Sequence, residues 1–332
     1  MKQHTRRSLP WAMAAAIASV VTAQAADYPS TVTSLGAVGY YRLNEATAVP
    51  GNRAINQGSA GPIGDAYYVN DSVSTPMHGS TAGALAGSSD GGATVGEGWI
   101  QTPFDASTNP QGSFTAEIWA QPTVEPAGLT SVMTFGHLQN GVRGVNGELG
   151  LNRSGWLLYQ DNGTSAGGKG WNFRMFNHVG INRSLTLNGG DVPTVGTWAH
   201  VVVSYDASTG MAYLYVNGEL QSSGLSPGYA PNYDGYFTVG RRNDLAFTYS
   251  GIVDEVAVYD TVLSADVIKS HYQNGMSATP SPAYDTLVKQ ANRCCTTAST
   301  SLFTTRRPRR SPRPTAAPGA PDRTPWCRTA SS

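Results

Sequence analysis

The sequence predicts an all-β protein: a two-sheet antiparallel sandwich with one short C-terminal helix. Three observations carry this. Only 13% of the 332 residues are charged, while Gly (38) and Tyr (16) are abundant; an ordinary globular chain is about one-quarter charged. Short β-branched and aromatic runs recur between turn-forming clusters. A single well-marked helix follows the last strong strand, which argues for a sandwich and against alternating α/β units.

The elements follow in order. Phe114, Ala116, Ile118 and Ala120 alternate with Thr115, Glu117 and Trp119, so this strand has two faces of unequal polarity and suits a sheet packed on one side. Trp198 to Tyr205 is a strand, Asp206 to Gly210 a turn and Met211 to Val216 a second strand. Asn217-Gly218 then closes a hairpin, because both residues tolerate positive φ, and Glu219 to Gln221 starts the return strand. Tyr236 to Gly240 and Gly251 to Tyr259 read as further strands, with Gly/Ser/Asn-rich loops at 79–98 and 162–170. The helix is capped by Ser264, has Asp266 in its first turn and is expected to stop at Asn274-Gly275. Val267, Ile268, His271 and Tyr272 form its inner face.

The formal net charge is zero, yet the charges are segregated. Residues 27–290 hold 11 bases and 21 acids, a net −10, whereas residues 291–332 hold eight arginines and one acid. A body of that sign does not suit nucleic acid, and no apolar run is long enough for a membrane span. All three cysteines lie in the tail (Cys294, Cys295, Cys327), so the body is expected to fold without disulfides.

Residues 1–25 read as a signal peptide: Lys2, Arg6 and Arg7 precede the apolar stretch Leu9 to Val21, and Ala23-Gln24-Ala25 is a cleavage site. The domain is expected over residues 26–276, and 277–292 is a linker or the start of a second repeat. Residues 293–332 are an Arg/Pro-rich tail expected to be disordered. The abrupt change at Arg293 reads as a frameshift or truncation at the entrance to that second repeat.

Catalytic signals are thin. Gly87-Ser88-Ser89-Asp90-Gly91 has the spacing of a nucleophile elbow but sits in a loop rather than between strand and helix. The six histidines show no zinc-like spacing, and a structural role is expected for His200. Glycoside hydrolysis needs two carboxyl groups across a cleft. Glu117 with Glu148 or Asp161 are the candidates, and Asp254-Glu255, being adjacent, should point to opposite faces of a strand.

Four motifs carry a family resemblance. They are Val38-Gly39-Tyr40-Tyr41-Arg42-Leu43-Asn44-Glu45; Phe114 to Pro122; Thr197 to Asp206 with Ala212 to Gly218; and Gly251 to Tyr259 followed by Leu263-Ser264-Ala265-Asp266. In that order they resemble bacterial laminin G-like, concanavalin A-like domains. The resemblance implies a jelly-roll in which the first and last strands are neighbours. It also maps Asp254 onto an acidic position near the end of the first strand, where Asn44 and Glu45 precede a Gly/Asn loop. Calcium is therefore the implied cofactor, with Asp254, Asn44 and Glu45 as ligands.

Aromatics interleaved with amides suit sugar rings. Trp171, Tyr229 and Tyr233 are the candidate ligand-binding residues, on a shallow surface. The function expected is an exported, non-catalytic binding module for a polysaccharide, a cell-surface glycoconjugate or a protein. The alternative is a structural or adhesive repeat of a larger cell-surface protein, with a glycoside hydrolase behind both.

Overall fold

A computed structural model of the protein describes residues 27–45, 53–70, 79–135, 153–164, 167–178, 183–191, 193–233, 235–242 and 246–278. The proposed signal peptide, the linker beyond Ala278, the tail and Glu148 lie outside the described residues. The strands are β1 Gly39–Tyr41, β2 Arg53–Ala54, β3 Ala66–Asn70, β4 Gly79–Ala82, β5 Gly91–Val95, β6 Gly98–Thr102, β7 Phe114–Pro122, β8 Thr130–Phe135, β9 Trp156–Asn162, β10 Lys169–Phe176, β11 Arg183–Asn188, β12 Ala199–Asp206, β13 Met211–Val216, β14 Glu219–Leu225, β15 Phe237–Val239 and β16 Gly251–Tyr259. Two helices flank them, α1 Tyr28–Ser34 and α2 Ala265–Gly275.

The strands form two antiparallel sheets. The first runs β14-β13-β12-β7-β16-β5-β4, with β1 also paired to β16; the second runs β11-β10-β9-β8-β15-β6-β3-β2. Tyr40 lies opposite Ala257, so the first and last strands are neighbours. The principal core fills the space between the sheets, with Phe114, Ile118, Val201, Val203 and Leu214 from one and Met133, Trp156, Leu158, Phe173 and Met175 from the other. Interdigitation of inward-facing residues from two sheets is what holds a sandwich together.

The hairpin and the C-terminal helix form where the sequence places them. Asn217 and Gly218 have φ of 53° and 78°, and their turn joins β13 to β14. The Ser264 hydroxyl accepts a hydrogen bond from Val267 N at 3.3 Å, and Asp266 occupies the first turn. The helix ends at Gly275, as expected, but without a left-handed glycine cap: Met276 is the C-cap, and glycine is needed at 275 because a Cβ there would run into the Trp119 ring.

Two further expectations are corrected. The first sheet is not packed on one side only: Trp119, Val202, Tyr215 and Tyr259 form a second core beneath Val267 and Ile268 of α2 and Tyr28 and Val32 of α1. Helix α1 itself was not anticipated. Asp27 caps it by accepting from Ser30 N at 3.0 Å, and Pro29 occupies its first turn.

Candidate functional site

The second core contains a sealed polar centre. Glu117 of β7, His200 of β12 and His271 of α2 are all fully buried. Glu117 Oε2 lies 2.9 Å from His200 Nε2 and 2.9 Å from His271 Nδ1, while the Tyr259 hydroxyl donates to Oε1 at 2.5 Å. Burial works to raise the Glu117 carboxyl, but the His271 charge and the hydrogen bonds from both histidines outweigh it and hold the group below the ordinary range. Burial lowers His200, against the pull of Glu117. The expected structural role of His200 is thus to bind β12 to β7, and His271 ties α2 to the same carboxylate.

Asp161 cannot complete a catalytic pair with Glu117. Leu157 and Tyr159 pack in a separate cluster from Trp156 and Leu158, which face the sandwich core. The period-2 alternation of β9 therefore sends Asp161 to the outer face of the second sheet. Glu117 lies on the outer face of the first, so both sheets separate the two carboxyls.

A second buried acidic centre surrounds Asp254 and Glu255. A β-bulge between Asp254 and Ala257, with Glu255 at φ 50°, inserts one extra residue opposite Ile118 of β7. Val253 and Val256 face the principal core, so the two adjacent acids both turn outward. The expectation of opposite faces fails for this reason. Asp254 accepts from Ala84 N and from Glu255 N, each at 2.8 Å. Glu255 accepts from the Tyr40 hydroxyl and, at 3.2 Å, from Arg42 Nε. Arg42 also pairs with Asp90, whose other oxygen accepts from Asn44 Nδ2 at 2.6 Å. Burial pushes Glu255 up to about 7, restrained by Tyr40 and Arg42; burial and the neighbouring Glu255 raise Asp254 well above the carboxylate range.

These residues do not fit the implied calcium. Both Asp254 oxygens are engaged by backbone N–H groups, and Asn44 presents its amide donor to Asp90. Glu45 points elsewhere, accepting from Ile55 N at 2.8 Å and the Tyr68 hydroxyl at 2.6 Å. The cation between Asp90 and Glu255 is the Arg42 guanidinium. Calcium needs six to eight converging oxygens; among the described residues no group of three or more His, Cys, Asp or Glu side chains is placed to hold a metal.

The three aromatic candidates are not brought together. Trp171 is 3% exposed and packs in the principal core, and its remaining surface lines a groove at one rim. Tyr229 is half-buried, with its ring 4.9 Å from that of Tyr205, and Tyr233 is exposed. Tyr205 ends β12 near one rim, whereas Trp171 lies by Ala199 at the other end of that strand, about 20 Å away.

At that opposite rim the structure opens a groove of about 380 Å³ with Trp171 at its base. Its sides are Asp191, Thr194, Thr197 and Trp198 from the β11–β12 connection and Asn217, Glu219 and Gln221 from the β13–β14 hairpin. Local hydrogen bonds fix each wall. Gly189 N donates to Trp171 O at 2.6 Å and Gly190 N to Asn188 Oδ1 at 3.0 Å, which holds the chain entering Asp191 against β10. Thr197 N donates to Thr194 O at 3.1 Å, closing a turn before the half-buried Trp198. Asn217 Oδ1 accepts from His200 N at 3.0 Å, anchoring the hairpin to β12. Glu219 Oε1 accepts from Lys269 Nζ at 2.7 Å at the solvent-facing margin. The groove combines two indoles, two amides, two carboxyls and two hydroxyls. Chemically this is a hydrogen-bonding site with flat apolar surface, and apart from Trp171 the sequence assigns its residues only to strands and turns. The clue available was that aromatic and amide residues flank both loops.

No curated protein sequence matches this chain. Among solved structures it is similar to domain 4 of AbnA, a GH43 extracellular arabinanase from Geobacillus stearothermophilus in complex with arabinotriose, at 15% identity and TM-score 0.46, covering 71% of this chain and 98% of that one. It is also similar to the sialidase CBM40 of Ruminococcus gnavus bound to α2,3-sialyllactose, at 19% identity and TM-score 0.39, covering 50% and 84%. A third is the binding domain of botulinum neurotoxin serotype D, at 13% identity and TM-score 0.49, covering 73% of this chain and 52% of that one. A laminin G-like family model covers residues 93–269, from β5 to within α2, and the two paired sheets agree with it: the chain belongs to the concanavalin A-like lectin/glucanases superfamily.

Proposed function

We propose that the protein is an exported, non-catalytic glycan-binding module and that its ligand lies in the groove beside Trp198. One observation carries this reading: a half-buried indole stands beside the side chains of Asp191, Asn217, Glu219 and Gln221 in an open depression. A sugar ring offers an apolar face for stacking and hydroxyls that both donate and accept, and this lining supplies the complement of each. Glu117 and Asp161 lie on opposite outer faces and are fully buried, which speaks against that acid pair for a glycosidase; Glu148 lies outside the described residues. No helix of the described residues is long and apolar enough to cross a membrane, and residues 1–25 carry the export signal. The groove favours ligand binding over the alternative of a plain spacing repeat, which has no use for a recessed tryptophan ringed by amides.

The test is affinity electrophoresis of the full chain through gels containing soluble polysaccharides. Retardation by at least one polymer is expected, and Trp198→Ala should abolish it. Because Trp198 also packs against the second core, the melting temperature of the variant is measured in parallel. A variant that stays folded and binds as well as wild type refutes the groove.

A further inference from the structure

We infer that the groove is selective by charge, taking uncharged or amino-bearing sugars and turning away uronic and sialic acids; this rests on the glycan-binding reading above. Its described lining contains two acidic side chains, Asp191 and Glu219, and neither Arg nor Lys. The one cation at its margin, Lys269, is already engaged by Glu219 at 2.7 Å. Recognition of a sugar carboxylate relies on a cation or a cluster of N–H donors facing it, most effectively the planar fork of arginine. The arginines whose side chains are described lie elsewhere: Arg153 sits over the Phe176 ring, Arg174 over Tyr159, Arg241 over Trp99 and Arg242 over Phe247, while Arg42 and Arg53 pair with acids.

The chemistry that remains favours neutral rings. Ionised carboxylates accept hydrogen bonds from sugar hydroxyls, and amides both donate and accept. An ammonium group on an amino sugar would gain a charge-assisted bond to either acid. A sugar carboxylate in the same place would meet the like charge of Asp191 beside the Lys269-paired Glu219, both exposed, so the repulsion is modest and weakens as salt rises. The field of residues 27–290, net −10, acts in the same direction around the groove, whereas the arginines of 291–332 attract polyanions independently of it; only polyanion binding that Trp198→Ala removes is therefore counted as binding in the groove.

The experiment compares dissociation constants of the full chain for arabinan, xylan, mixed-linkage β-glucan and chitosan with those for polygalacturonate, alginate and heparin, at low and high salt. At least one polymer of the first group should bind, with every polyanion at least tenfold weaker at low salt, and the gap should narrow as salt rises. Asp191→Asn combined with Glu219→Gln should reduce the discrimination about tenfold, or ~1.4 kcal/mol. A polyanion bound within tenfold of the best neutral polymer overturns the charge inference and leaves the glycan reading standing. Discrimination unchanged in the double variant also overturns it. Binding of no polymer at either salt overturns both.

Discussion

Replacing Glu117 by alanine takes away the acceptor that three fully buried side chains share. His200 Nε2 and His271 Nδ1 each lose a contact of 2.9 Å, and the Tyr259 hydroxyl loses one of 2.5 Å. A buried donor left unpaired costs about 1–3 kcal/mol. Moving a proton to the far ring nitrogens recovers none of this, because His200 Nδ1 and His271 Nε2 are themselves buried without a hydrogen-bond partner; the three together should cost about 4 kcal/mol, a large share of the ~5–15 kcal/mol that holds a typical domain together. Glu117→Gln keeps one carbonyl acceptor, and the Tyr259 hydroxyl can turn to accept from the new amide; about 2 kcal/mol is expected. The assay is urea unfolding followed by tryptophan fluorescence, because Trp119 lies 4.9 Å from the His200 ring. Folded Glu117→Gln protein should bind its polysaccharide as wild type does, since the cluster is closed off from the groove. Glu117→Ala within about 1 kcal/mol of wild type would refute the claim that this carboxylate fastens α2 and β12 to β7.

Three other outcomes follow from the outer-face chemistry. Glu255 is raised from 4.5 to about 7, so the folded state holds its proton across a window in which the unfolded chain has released it. That contribution is full below about 4.5 and is lost as pH rises to about 7, with a ceiling of about 3 kcal/mol. Glu117 acts oppositely: its depressed value gives stability that is present above about 4.5 and lost on acidification. Unfolding free energy measured from pH 4.5 to 8 should therefore fall less steeply with rising pH in Glu255→Gln than in wild type, in a setting where Tyr40, Arg42, Asp254 and Glu117 surround the group; identical slopes would contradict the assignment. Arg42→Ala should destabilise by about 3 kcal/mol by stranding Asp90 and Glu255 without their cation. Asp254→Asn should leave any calcium-dependent shift in melting temperature unchanged from wild type, and a calcium-induced rise of several degrees that this substitution blunts would return the metal to this site.

The parts of this protein that were readable from sequence are those whose physics is local. Asn217-Gly218 closes its hairpin because both residues reach positive φ, and Ser264 caps α2 with its own hydroxyl three residues from Val267. Asp27 and Pro29 carried an equally local signal for α1 that was passed over. Four ordered motifs pointed to the family because strand patterning repeats at period 2. Tertiary structure alone decided what those patterns face. Thr115, Glu117 and Trp119 look like a solvent-facing set on one strand, and only the packing of α1 and α2 seals them. Asp254 and Glu255 share a face because β16 takes one residue more than β7 across from it, a property of the pair and not of either strand. The sequence marks Trp171 as a ligand candidate and Trp198 only as the start of a strand, yet Trp171 is nearly buried and Trp198 stands half-open at the rim. Alternation says which residues share a side of a strand; whether that side is covered depends on chain segments far away in sequence. The groove assembles from two loops separated by all of β12 and β13, and its chemistry exists only once those strands pair.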